Sequence, residues 1–71
     1  MSDHGQAEEI QKIQEWWEAK GLRLQFHEDE GIIWADLFSI RKGEVFWPKY
    51  GSGDSELAAA KRSVERHHQE E

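Results

Sequence analysis

The chain has 71 residues, enough for one domain at most, and it has no cysteine, which excludes a disulfide scaffold and a thiolate metal site. Fifteen acidic residues outnumber nine basic ones, and the formal charge of -6 works against binding to nucleic acid or anionic membranes. The polar start Met1-Ser-Asp-His-Gly5 lacks the apolar segment of a signal peptide, and no apolar run has the length of a membrane span, so a cytoplasmic protein without membrane contact is expected.

Residues 1–6 read as a flexible N-terminus, 7–68 as a single domain and 69–71 as a frayed tail. From Ala7 onward, apolar residues recur at helical spacing: Ile10, Ile13 and Trp17, with Trp16 widening the stripe. Glu8, Glu9, Lys12, Glu15 and Glu18 fill the other side. Lys20 suits the negative end of the helix dipole and Gly21 the left-handed cap position, so a helix is predicted over about residues 6–20. Of the adjacent Trp16 and Trp17, one belongs in the core and one at its rim.

Leu22, Leu24 and Phe26 alternate with Arg23, Gln25 and His27, the pattern of a half-buried first strand. Glu28-Asp-Glu-Gly31 is a turn. The run from Gly31 to Ile40 is the longest apolar stretch and predicts a central strand with two largely apolar faces. One face carries Ile33, Ala35 and Leu37; the other carries Ile32, Trp34, Phe38 and Ile40, with Asp36 among them. Arg41-Lys42-Gly43-Glu44 makes a hairpin turn into a third strand, Val45 to Tyr50. Pro48 cannot donate a ladder hydrogen bond, so that strand is an edge, is bulged, or ends there. Gly51-Ser-Gly53 follows, and Asp54 or Ser55 caps a second helix over residues 55–68. Its inner stripe is Leu57, Ala60 or Lys61, and Val64, continued by His67 or His68. The alanines 58–60 leave that register open by one position. The predicted fold is α+β, in the order α-β-β-β-α: a three-stranded antiparallel meander with two helices packed on one face.

Three stretches carry a likeness to a known family: the first helix ending in Lys20-Gly21 before a strand, the long hairpin Ile32 to Phe46, and Gly51-Ser-Gly-Asp-Ser55 leading into the alanine-rich helix. In order, lengths and that last motif, residues 7–68 resemble the double-stranded RNA-binding domain. HicB-type antitoxins are similar over part of the same pattern. The resemblance implies an RNA site built from three places, and the chain departs at each. The family's Lys-Lys-x-Ala-Lys cluster falls on Glu56, Leu57, Ala58, Ala59 and Ala60, which keep only the alanine. The Gly-Pro-x-His loop falls on Glu28, Asp29, Glu30 and Gly31. Gln11, Gln14 and Glu18 stand where the first helix would meet the minor groove. Double-stranded RNA is therefore not an expected partner.

The four histidines lack the helical i, i+4 spacing of a zinc site, and no cysteine nucleophile, Gly-x-Ser-x-Gly elbow or phosphate-cradling loop is present. No enzyme activity, catalytic residue, metal or cofactor is expected. His27 near Asp29 or Glu30 would make a weak pair. Lys61, Arg62 and Arg66 form a basic strip on the second helix, read first as a solvated face and second as nucleic-acid contacts. If the helices cover Ile33, Ala35 and Leu37, an apolar interaction face remains: Ile32, Trp34, Phe38 and Ile40, joined by Trp47 or Phe46. The opposite register would bury that set and leave the other face outside. The expected function is a small acidic protein-interaction module that self-associates as a homodimer or takes a protein partner. The alternatives are weak nucleic-acid binding, double- or single-stranded, and a nucleic-acid mimic or inhibitor suggested by the charge.

Overall fold

The computed structural model describes residues 2–70, with the side chains of residues 5–70. The elements are α1 (Ser2–Glu18), β1 (Leu22–Asp29), β2 (Ile32–Ser39), β3 (Glu44–Gly53) and α2 (Glu56–Glu70). The strands form one antiparallel sheet in the order β1-β2-β3, so the fold is the α-β-β-β-α meander of an α+β domain. Helix α1 begins at Ser2, earlier than the apolar periodicity indicates, and α2 continues past residue 68 to Glu70. Met1 and Glu71, the outermost residues of the two expected tails, lie outside the described residues.

Local chemistry sets these boundaries. Gly21, at φ 82°, ends α1, and its N–H donates to the Glu18 carbonyl at 2.9 Å. The β1–β2 connection is two residues, Glu30 and Gly31, at φ 55° and 80°. Both central residues then have positive φ, the turn form whose twist matches that of the paired strands. In the second hairpin the Gly43 N–H donates to the Ser39 carbonyl at 2.8 Å, and the Lys42 N–H to Ser39 Oγ at 3.2 Å. Ser55 caps α2, its Oγ accepting the Ala58 N–H at 3.2 Å.

Both helices lie on the Ile33–Ala35–Leu37 side of the sheet. Trp17 from α1, Leu24 from β1, Ala35 and Leu37 from β2, Tyr50 from β3, and Ala59 and Ala60 from α2 form the core. Trp17 is fully buried and Trp16 sits at the rim. Burying one such large side chain stabilises by roughly 1.5–3 kcal/mol. The Trp17 indole N–H donates to Ser63 Oγ at 3.1 Å, and the Ser63 hydroxyl donates to the Ala60 carbonyl at 2.6 Å. The buried polar pair is therefore satisfied inside the core.

The buried line of α2 is Ala59, Ala60 and Ser63, with Leu57, Val64 and His67 half-buried beside it. This is rotated from the predicted stripe, and Gly51 and Gly53 explain why. A Cβ at Gly51 would lie 2.8 Å from Ser63 N, and one at Gly53 would lie 2.5 Å from Ala58 Cβ. The missing side chains let α2 sit directly on the β3 backbone, so its smallest residues occupy the line of closest approach.

Both sheet edges are blunted. On β1 the Gln14 carboxamide takes the place of a neighbouring strand: Leu24 N–H donates to Gln14 Oε1 at 2.6 Å, and Gln14 Nε2 donates to Leu24 O at 3.1 Å. On β3 the pairing slips. Between the pairs Leu37↔Trp47 and Ala35↔Gly51, β2 advances two residues and β3 four. Pro48 lies in this excursion, and Lys49 takes φ 51°.

Candidate functional site

The face of the sheet turned away from the helices carries no covering element among the described residues. Residues paired across an antiparallel ladder share a face. Asp29 pairs with Ile32, His27 with Trp34, Gln25 with Asp36 and Arg23 with Phe38; Val45 adds to Phe38 from β3. Ile32 and Val45 are 41% and 49% exposed, while Trp34 and Phe38 are half-buried among their neighbours. The expected set Ile32, Trp34 and Phe38 is thus brought together. Ile40 falls past the end of β2, 44% exposed, with its N–H donating to the Gly21 carbonyl at 3.1 Å.

Trp47 stands apart from this group. It is paired with Leu37, a core residue, so its side chain leaves β3 on the helix side. There it stacks on the Tyr50 ring at 5.0 Å between centroids, with Phe46 tilted against it at 4.5 Å. The slip in β3 causes the change, because strict alternation from Val45 does not survive an inserted residue. Val45, not read as part of the face from sequence, takes the place beside Phe38; its signal was the hairpin register, which pairs it there.

A polar cluster is set into the apolar face. Asp36 Oδ1 accepts the Lys49 backbone N–H at 2.7 Å, and His27 Nδ1 lies 3.0 Å from Asp36 Oδ2. Asp36 thus supplies the acceptor that the displaced β3 backbone loses from the ladder. His27 is paired with this carboxylate and not with Asp29 or Glu30. Asp29 instead meets Lys49 Nζ at 3.3 Å, and the same ammonium stands 5.2 Å from the Trp34 ring centroid. The cluster has no nucleophile and no open coordination set. Among the described residues no group of three or more His, Asp or Glu side chains is arranged to hold a metal.

The basic residues of α2 do not form one free strip. Lys61 is 3.8 Å from Glu9 of α1, and Arg62 is 3.9 Å from Glu65. Arg66 lies 3.5 Å from Glu70, donates to the Tyr50 carbonyl at 3.3 Å and covers the Tyr50 ring at 4.6 Å. It ties α2 to β3. The Tyr50 hydroxyl donates to Glu70 Oε1 at 2.9 Å. Burial, reinforced by this hydrogen bond to a carboxylate, pushes the phenol up from 10.0 to about 12. His67 packs edge-on against Trp16 and Trp17, at 5.5 and 5.3 Å.

No described helix is long and apolar enough to cross a membrane. Comparison of the chain with protein-family models, curated proteins and solved structures finds no match.

Proposed function

We propose that the protein is a small interaction module that self-associates through the open face of its sheet. The observation that supports this is that Ile32 and Trp34 on one side of the Asp36 cluster, and Phe38 and Val45 on the other, share one uncovered face opposite a complete core. Apolar groups gathered on one face and rimmed by charge mark an association surface. A second copy offers the same surface, and a two-fold dimer closes it. In this reading the resemblance to double-stranded RNA-binding domains is one of element order, and double-stranded RNA is not a ligand. The module acts in the cytoplasm and performs no catalysis.

The size of the face sets the strength. Three strands, with eight residues in β2, span an area of about 26 by 14 Å, roughly 400 Å² per copy. That is about half of what a standard interface buries per partner. Apolar burial over both copies stabilises by on the order of 10 kcal/mol before an association penalty of similar size. The dimer is therefore weak, with dissociation in the micromolar range or above.

Sedimentation equilibrium tests it. The weight-average mass should rise from that of one chain toward two across the micromolar range, and Trp34→Ala should shift the rise to higher concentration with an unchanged circular dichroism spectrum. A single-chain mass up to about millimolar concentration would overturn the proposal.

A further inference from the structure

The two ends of the open face carry opposite charge. At the β2–β3 hairpin end stand Arg23, Arg41 and Lys42, against Glu18 and Glu44, while the Lys20 ammonium lies on the helix side over the Trp16 ring. At the β1–β2 turn end stand Glu28, Asp29, Glu30 and, beyond β3, Asp54, against Lys49. Some of these charges are already paired within the chain, Arg23 with Glu18 at 3.8 Å and Asp29 with Lys49 at 3.3 Å. Among the described residues Arg41, Lys42, Glu28 and Glu30 form no ion pair. Each end thus keeps an uncompensated charge, positive at the β2–β3 hairpin end and negative at the β1–β2 turn.

We infer that two copies stack face to face with their strands antiparallel, an orientation set by this charge polarity. The inference rests on the self-association proposed above and names its geometry. Two aligned two-fold arrangements bring the same faces together. With the axis along the strands, hairpin end meets hairpin end and turn meets turn, and both contacts are repulsive. With the axis across the strands, each basic end lies over the partner's acidic turn, and symmetry produces the attraction twice. Stacked sheets lie about 10 Å apart, close to the screening length at about 0.1 M salt, so the facing ends interact. The two ends of one copy are about 26 Å apart, given eight residues in β2, and act independently. The apolar pairs on either side of Asp36, Ile32 with Trp34 and Phe38 with Val45, drive contact in either orientation, and the charged ends choose between them.

Charge reversal separates the outcomes. One variant carries Arg41→Glu and Lys42→Glu, a second carries Glu28→Lys and Glu30→Lys, and a third carries all four. All are compared with the unmodified chain by sedimentation equilibrium in low salt. In the antiparallel stack each double variant should dissociate about tenfold more readily, because both symmetric contacts become repulsive. The fourfold variant, whose polarity is inverted but still self-complementary, should return to within about threefold of the unmodified chain. Raising salt to about 0.5 M should weaken the unmodified dimer and reduce these differences. Double variants that dimerise as well as the unmodified chain, or a fourfold variant that fails to recover while its circular dichroism stays native, would overturn the antiparallel stack and leave the dimer standing. A monomeric unmodified chain would instead remove the self-association on which it rests.

Discussion

Replacing Gly51 with alanine probes the contact that seats α2 on the sheet. Its φ is not in the left-handed region, so the substitution tests space alone. The new methyl would come within 2.8 Å of Ser63 N and 3.1 Å of Ser63 Cβ, and would overlap the Ala59 carbonyl. All three neighbours belong to the buried line of α2, two of the contacts being backbone atoms that no rotamer change can move. The helix must therefore back away by about half an ångström or more, loosening the Ala59, Ala60 and Ser63 contacts and stretching the Trp17–Ser63 hydrogen bond. Overpacking of this kind costs about 2–3 kcal/mol. A domain of this size has roughly 3–5 kcal/mol in total. With a urea slope near 1 kcal/mol/M, the midpoint followed by tryptophan fluorescence should fall by about 2–3 M. Gly5→Ala is the matched control. Gly5 is exposed in α1 with nothing near its Cβ position, so alanine should leave stability equal or raise it by up to about 1 kcal/mol. A Gly51→Ala midpoint within about 0.5 M of the unmodified protein would refute the close-approach account.

Two further outcomes are expected. Because the Tyr50 phenol is raised from 10.0 to about 12, the neutral form is favoured by folding; its contribution is present below pH 10 and lost as pH climbs to 12, so the urea midpoint should drop more steeply over that window than in Tyr50→Phe, and absorbance titration of the single tyrosine should show the late ionisation directly. Glu30→Asn should stabilise the protein by about 1 kcal/mol in thermal unfolding, since asparagine tolerates the left-handed conformation at φ 55° better than glutamate does in a two-residue turn.

The order of elements was legible because each has its own period. Leu22, Leu24 and Phe26 alternate, Ile10, Ile13 and Trp17 repeat helically, and glycine marks the breaks between them. The open face could be narrowed to two choices from β2 alone, but both sides of β2 are apolar, and only the seating of Trp17 and the α2 alanines on Leu37 and Ala35 decides between them. Third-strand positions were harder. Pro48 signalled an irregular edge, yet no local pattern says how many residues a bulge inserts, so Trp47 fell on the helix side and Val45 alone stayed beside Phe38 on the open face. Ser63 and Tyr50 were missed as core residues because a polar side chain reads as exposed unless its partner is known. Here the partners are Trp17 from α1 and Glu70 from α2, both distant in sequence.

The Gln14 carboxamide on the Leu24 backbone gives the molecule an internal clock. Leu24 is held at the outer edge of β1 by a side chain of α1, not by another strand, so its amide can exchange with solvent when α1 lifts away even while the sheet stays paired. Its exchange rate therefore reads helix undocking, whereas amides in the interior of β2 read opening of the sheet. If the two rates converge, α1 and the sheet open as one cooperative unit. If Leu24 exchanges earlier, the molecule has a partly opened form in which a strand edge is briefly bare.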